Sequence, residues 1–259
     1  MSEQSPVTFS SVTANEKPKL FVSVIIAALN EEAAIASVVN SVPENLVDEI
    51  IVVDNGSKDR TAKVAAAAGA RVVKEPIPGY GRAFRAGLRS ISPKCDVVVF
   101  LDGDGSDCPE MMDRLVNPIS EGKADFVIGS RTEGNRETGS MNFHQILAGY
   151  GIGFMLRILY GVSSTDMGPF RAIRRDTLDR LGLREETYGW PLEMQMRAAR
   201  ARVRTIEVPV DYRRRAGGRS KIAGSVRGSV LAATRILITL ARIATQRQPG
   251  KGTKSTNGT

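Results

Sequence analysis

Apolar runs and amphipathic stretches alternate along the first half of the chain. Phe21 to Leu29, rich in Val and Ile, predicts a buried strand. Glu31 to Val42 sets Ala and Val at helical spacing. Glu49 to Val53 predicts a second strand that ends at Asp54, and Asp59 to Ala68 an Ala-rich helix closed by Gly69. Arg71 to Lys74 is a short third strand, and Gly79 to Ile91 a Gly-rich loop leading into a helix. Asp96 to Leu101 is a fourth strand. Pro109 opens a helix that reaches Glu121, and Phe126 to Gly129 is a further strand. This alternation predicts an α/β fold with a mostly parallel central sheet and helices on both faces.

The second half changes character. Thr132 to Asn142 is polar and reads as a mobile loop, followed by a mostly apolar helix over Phe143 to Tyr160. Thr165 to Ile173 is extended, helices follow at Asp176 to Leu181 and Pro191 to Arg202, and Val203 to Tyr212 is a strand. Arg213 to Lys221 is a basic, Gly-rich loop and Ser225 to Thr245 a long helix. On that helix Arg227, Arg235 and Arg242 fall within an arc of roughly 80°, opposite Ile236, Leu237, Leu240 and Ile243. Such a helix either lies on an anionic membrane surface or packs on the core with a solvated Arg face. The chain thus divides into a disordered tail (1–19), a globular unit (20–224), an amphipathic helix (225–245) and a second disordered tail (246–259). No signal-like apolar segment starts it. No window reaches the roughly 18 uncharged apolar residues of a spanning helix: Arg157 interrupts Ile146 to Gly161, and Arg235 and Arg242 interrupt Val230 to Ala244.

A length of 259 residues suits one α/β domain, and a net charge of +8 favours anionic partners. Aromatics make up only 5%, which argues against a stacking platform for nucleic acid. Cys95 and Cys108 have neither metal nor disulfide-framework spacing, which reads as reduced cytosolic thiols. One histidine, His144, disfavours triad chemistry and His-based zinc sites.

Candidate chemistry sits at the strand tips. The run Val97-Val98-Val99-Phe100-Leu101 ends in Asp102-Gly103-Asp104. Asp is a poor strand residue, and in open parallel sheets ligands bind beyond the carboxyl ends of the strands. Two carboxylates there can hold a hard divalent cation, with substrate phosphates completing its shell; the alternative is a solvated Asp-Gly turn. Asn30-Glu31 and Asp54 end the neighbouring strands and suit hydrogen bonds to a base and a ribose. Asp54 to Asp59 also makes a turn and a helix cap. Gly79-Tyr80-Gly81 imitates a dinucleotide fingerprint without its third Gly, which leaves a phosphate-near loop or a tight turn.

Taken together, Val24-Ile25-Ile26-Ala27-Ala28-Leu29-Asn30-Glu31-Glu32, Val52-Val53-Asp54-Asn55-Gly56-Ser57 and Asp102-Gly103-Asp104 resemble a family 2 glycosyltransferase of the GT-A (nucleotide-diphospho-sugar transferase) fold. Asp166-Met167-Gly168-Pro169-Phe170-Arg171, Trp190 to Glu193, Val208-Pro209-Val210 and Arg215-Ala216-Gly217-Gly218-Arg219-Ser220-Lys221 are similar to dolichol- or polyprenyl-phosphate hexosyltransferases. The resemblance implies a nucleotide-sugar donor, GDP-mannose or UDP-glucose, whose diphosphate rests on Mg²⁺ or Mn²⁺ held by Asp102 and Asp104, with Ser106 beside them. It implies donor contacts at Ala28, Asn30, Glu31, Asp54, Asp102, Arg131 and Ser220. It gives a catalytic set of Asp104, Asp166, Arg215 and Lys221, with Asp166 orienting or deprotonating the acceptor. The spacing from Asp166 to Phe170-Arg171 is shorter than the family pattern, which touches Asp166 and Glu193. A loop with glycines and five basic residues, Arg213 to Lys221, suits a phosphate clamp, or else a solvated surface.

These expectations describe a metal-dependent, inverting transfer of a hexose to a polyprenyl phosphate, on the cytoplasmic face of an anionic membrane and without nucleic acid. A phosphate acceptor is already anionic, so a site without histidine suffices. One rival keeps the fold and donor but uses a soluble phosphorylated small acid. Another is a basic peripheral binding protein without turnover, which the intact Asp102-Gly103-Asp104 disfavours.

Overall fold

The computed structural model describes residues 19–217 together with Ile238, Thr239 and Arg242. Seven strands, β1 (Val22–Ala28), β2 (Glu49–Asp54), β3 (Arg71–Lys74), β4 (Val97–Asp102), β5 (Phe126–Ser130), β6 (Arg171–Arg174) and β7 (Thr205–Pro209), form one sheet in the order β3-β2-β1-β4-β6-β5-β7. Only β6 runs antiparallel to its neighbours, β4 and β5. The helices are α1 (Ile35–Asn40), α2 (Thr61–Ala67), α3 (Tyr80–Leu88), α4 (Asp113–Ser120), α5 (Phe143–Tyr160), α6 (Arg175–Leu181) and α7 (Trp190–Arg200).

Strand alternation splits the core into two layers. Val22, Val24, Ile26 and Ala28 of β1 point to one face and pack under Ile35 and Val38 of α1, Ala65 of α2 and Leu115 and Ile119 of α4. Ile25 points to the other face, which Phe84 of α3, Leu178 of α6 and Trp190 and Met194 of α7 cover. Both faces are buried, so the strands read as continuous apolar runs. Register then aligns three strand tips: Ala28 lies opposite Asp54, and Ala27 opposite Asp102.

The structure departs from the sequence reading at element ends. The helix expected from Glu31 starts at Ile35, because side chains of the next βα unit take the preceding N–H groups. Ser57 Oγ accepts from Asn30 N–H at 2.9 Å, Thr61 Oγ1 from Glu31 at 2.8 Å and Asp59 from Glu32 at 3.2 Å. Asn30 itself takes a left-handed φ of 53°. The helix expected from Pro109 begins as a 3₁₀ turn, Pro109–Met111. Of the stretch expected to be extended, Thr165 to Ile173, only its end enters the sheet as part of β6, since Asp166 turns aside to Arg131. The expected mobile loop, 132–142, is tied down: the Glu137 N–H donates to the Tyr212 carbonyl at 3.0 Å, and its carboxylate accepts from Arg214 N–H at 2.8 Å.

Most of the expected C-terminal helix, both tails and the end of the basic loop lie outside the described residues. Ile238, Thr239 and Arg242 are helical. Arg242, expected to face either lipid headgroups or solvent, instead meets Glu185 at 2.7 Å, with the buried Glu193 at 3.7 Å. Among the described residues, no helix is long and apolar enough to cross a membrane.

Candidate active site

The tips of β1, β2 and β4 open into a cleft of about 140 Å³ lined by Ala28, Glu31, Asn55, Tyr80, Asp102, Asp104, Tyr188 and Arg215. A larger cleft of about 650 Å³, on the flank of α3 and α6, contains none of the expected site residues. The smaller cleft is where charge concentrates. Asp104 is 3% exposed, and its Oδ1 accepts from both the N–H and the hydroxyl of Ser106. Ser106, expected as a metal-side ligand, therefore orients Asp104. The other oxygen, Oδ2, meets Arg215 Nη2 at 2.8 Å, and Arg215 Nη1 lies 3.9 Å from Glu31. Gly103 packs so closely on the Ala27 carbonyl that a Cβ would sit 3.1 Å from it, which keeps the two carboxylates on a tight turn.

Asp102 points to Tyr80, whose hydroxyl donates to Oδ1 at 2.8 Å. Burial, then the neighbouring charge of Asp104, pushes the Asp102 carboxyl up to about 7. Beneath it lies Asp107. Its Oδ2 accepts the Asp102 N–H at 3.0 Å, while its buried Oδ1 has no partner among the described residues. Burial and the charges of Asp102 and Asp104 hold the Asp107 carboxyl well above the usual range. The tip of β4 thus gathers three carboxyl groups, Asp104 and Asp107 buried and Asp102 half-buried, of which Asp104 pairs with Arg215; a hard cation would favour their ionised form.

Arg131 and Asp166 form a second unit beside the first. The Arg131 fork donates to both carboxylate oxygens, Nε at 2.7 Å and Nη2 at 2.8 Å, and its N–H adds a third bond at 2.9 Å. Met167 N–H adds another at 2.7 Å, and Arg131 stacks 4.9 Å over the Tyr212 ring. Burial pushes the Asp166 carboxyl up, but the charge and hydrogen bonds of Arg131 outweigh it and hold it below its ordinary value. An acid so held is a weak base. Glu193 is remote in role: fully buried, it accepts from Arg184 and Glu185 N–H and from Arg197 Nε at 2.9, 2.6 and 2.9 Å.

The structure brings together Ala28, Glu31, Asp102, Asp104 and Arg215 at the cleft, with Asp54 next to Ala28 in register. Asp54 Oδ1 accepts from Ser57 N–H at 3.0 Å. Asn30 is exposed and accepts from Lys58 N–H at 2.7 Å, stitching two loops together. Ser220 and Lys221 lie outside the described residues. Sequence reasoning missed Tyr80, Asp107 and Tyr188. Tyr188 stacks on Tyr80 with ring centroids 6.2 Å apart. The available signal was the glycine pair. Gly79 and Gly81 exist because the 185–187 backbone lies against them: Gly81 and Arg82 donate to the Thr187 and Glu186 carbonyls at 3.2 and 3.0 Å. These N–H groups are already paired, so the Gly79-Tyr80-Gly81 loop is a packing surface rather than a phosphate cradle.

Relatives share this architecture. The family model for glycosyl transferase family 2 matches residues 23–182. An uncharacterized glycosyltransferase of Mycobacterium tuberculosis is 37% identical over 82% of this chain and 94% of its own length. Undecaprenyl-phosphate mannosyltransferase of Micrococcus luteus is 31% identical over 74% of this chain and 82% of its own. Among solved structures, glucosyl-3-phosphoglycerate synthase from Mycobacterium tuberculosis, in complex with Mn²⁺, uridine diphosphate and glucosyl-3-phosphoglycerate, superposes with a TM-score of 0.72 at 26% identity, over 90% of this chain and 83% of that one. A family match that spans β1 to α6, and with it every strand tip of the cleft, means that the chain belongs to glycosyl transferase family 2, has the GT-A fold and is a glycosyltransferase.

Proposed function

We propose that the enzyme moves a hexose from a nucleotide-sugar, GDP-mannose or UDP-glucose, to a polyprenyl phosphate at the cytoplasmic face of a membrane, inverting the anomeric centre. The observation that carries this reading is the carboxylate pair Asp102 and Asp104 at the tip of β4, in one cleft with Arg215, which meets Asp104 at 2.8 Å. The likeness to undecaprenyl-phosphate mannosyltransferase supports the lipid-linked acceptor.

Asp102 and Asp104 would hold Mg²⁺ or Mn²⁺. Two carboxylates leave the rest of the cation's shell to diphosphate oxygens. When bound, the metal supplies charge stabilisation for the departing nucleoside diphosphate. The chain's own residues do the rest. Glu31 and Asp54 take the nucleoside end of the donor. Tyr80 fixes the Asp102 carboxylate, and Ser106 fixes Asp104. Arg215, with Ser220 and Lys221 beyond it, offers a donor fork to phosphate oxygens. An oxygen of the acceptor phosphate forms the new bond to the anomeric carbon as the bond to the diphosphate breaks. A phosphate monoester is mostly dianionic above its second pKa of about 6 and needs no base. Asp166 then serves as a positioning residue that holds Arg131 toward the acceptor side.

The likeness to glucosyl-3-phosphoglycerate synthase favours a second reading, the same chemistry on a soluble phosphorylated acid. Purified protein, Mn²⁺, labelled GDP-mannose or UDP-glucose, and either undecaprenyl phosphate or 3-phosphoglycerate decide between them. Label should partition into organic solvent with the lipid; water-soluble product alone would establish the second reading.

A further inference from the structure

One side of α5 is an uncovered apolar stripe. Phe143, Leu147, Tyr150, Phe154 and Ile158 are 76, 60, 54, 66 and 66% exposed. Their spacing of three or four residues sets them in one row, about 22 Å long at 1.5 Å per residue. Gly151, in the same row, has nothing within 4 Å of where a Cβ would stand. The opposite side is anchored: Ile152 and Leu156 pack on Leu192 and Met196 of α7. The stripe is therefore a continuous surface held on the body of the protein, larger than scattered exposed residues would make.

Charge narrows what covers it. No Asp or Glu occurs between Glu137 and Asp166, while Arg157 borders the row and Arg136 precedes the helix. A two-fold pairing of this face would stack two basic-edged surfaces with no carboxylate to offset them. An anionic lipid surface complements both features, with acyl chains for the stripe and headgroups for the arginines. Position adds a third argument. Gly153 lets α5 lie directly against the 164–166 backbone, since a Cβ there would run into the Ser164 carbonyl. That segment carries Asp166, which clamps Arg131. The helix that carries the stripe thus packs, by its other face, on the segment that holds Arg131.

We infer that α5 seats in the headgroup–acyl boundary of an anionic bilayer, its axis in the membrane plane, and holds the cleft beside lipid-borne phosphates. The membrane contact stands on the stripe; its use in delivering the acceptor rests on the proposed polyprenyl-phosphate reading.

Brominated-lipid quenching tests it on the full chain. The only tryptophan, Trp190, is 1% exposed and serves as an internal control. In Phe154→Trp, vesicles of phosphatidylglycerol and phosphatidylcholine with brominated chains should quench the added fluorescence and leave wild-type fluorescence unchanged. Leu147→Glu with Phe154→Glu should weaken partitioning into these vesicles about tenfold or more, by losing apolar burial and adding like charge. The same variant should keep its turnover on a short, water-soluble prenyl phosphate. Unquenched fluorescence in Phe154→Trp, undiminished partitioning of the double variant, or equal loss of turnover on both acceptors would overturn the inference. So would a dimer that sediments as monomer only in the double variant and never binds vesicles, which would assign the stripe to a second copy. Vesicle binding without transfer to polyprenyl phosphate would instead defeat the acceptor reading and leave the α5 contact standing.

Discussion

Asp166→Asn removes one charge from a buried pair and leaves the other. The side chains of Asp166 and Arg131 are 2% and 12% exposed, and the guanidinium fork uses both carboxylate oxygens. Breaking a buried pair from one side costs about 3–5 kcal/mol, since the remaining charge stays desolvated. The Tyr212 ring beneath Arg131 offsets part of this, on the order of 0.5–2 kcal/mol. The net loss should therefore fall near 3 kcal/mol. At about 2–4 °C per kcal/mol for a chain of this size, the melting temperature should drop by about 6–12 °C. The pH dependence has a definite sign. The folded Asp166 carboxyl is held below its ordinary 3.8, so its contribution to stability is present above that value and is lost as pH falls through the lower, folded one. Asp166→Asn should thus flatten the acid limb of the stability curve and lower its plateau at neutral pH. Urea melts of Asp166→Asn, Arg131→Met and the double variant supply the measurement. Arg131→Met removes the stranded charge, so the double variant should lose less than the sum of the singles by about 1 kcal/mol or more. A single variant within about 1 kcal/mol of wild type, with an unchanged acid limb, would refute this view of the pair.

Three further outcomes follow from the cleft. Tyr80→Phe deletes the donor to Asp102 and should lower kcat/KM about tenfold, the value of a hydrogen bond to a charged group, while circular dichroism stays unchanged. Gly81→Ala drives a methyl into the Glu185 carbonyl and should destabilise by about 1–3 kcal/mol in denaturant melts, with Tyr188 fluorescence or nucleotide affinity reporting the shifted segment. Arg215→Ala should weaken a nucleoside diphosphate about tenfold or more in calorimetry and weaken the bare nucleoside much less, because the guanidinium pairs with Asp104 at 2.8 Å and reaches Glu31 only at 3.9 Å.

The inner strands β1, β4 and β5 were legible because they are buried on both faces and so appear as nearly unbroken apolar runs. Asp102 and Asp104 were legible because carboxylates at the end of such a run contradict local propensity. Arg131 and Asp166 were legible as members of a site but not as partners: they are far apart in sequence and meet only where β5 and the loop before β6 converge. Tyr80 was hidden inside a glycine pattern whose purpose is contact with the 185–187 backbone, a long-range packing event with no local trace. Asp107 lies in the loop after β4 with no local pattern to mark it; only the fold buries it beside Asp102. The α5 helix was placed correctly by its hydropathy from Phe143 to Tyr160, yet which of its faces stays uncovered depends on α7, distant in sequence.

The central claim is that Asp102 and Asp104 form the divalent-cation and diphosphate site of this glycosyltransferase. Its most direct measurement is calorimetric titration of GDP and UDP into the wild type and into Asp102→Asn and Asp104→Asn, each with Mn²⁺ and with EDTA. For at least one nucleotide, the account predicts wild-type binding that needs Mn²⁺, and variants that stay folded but bind equally weakly with the metal and without it. Binding that is unchanged by EDTA, or variants that retain Mn²⁺-dependent affinity, would contradict it.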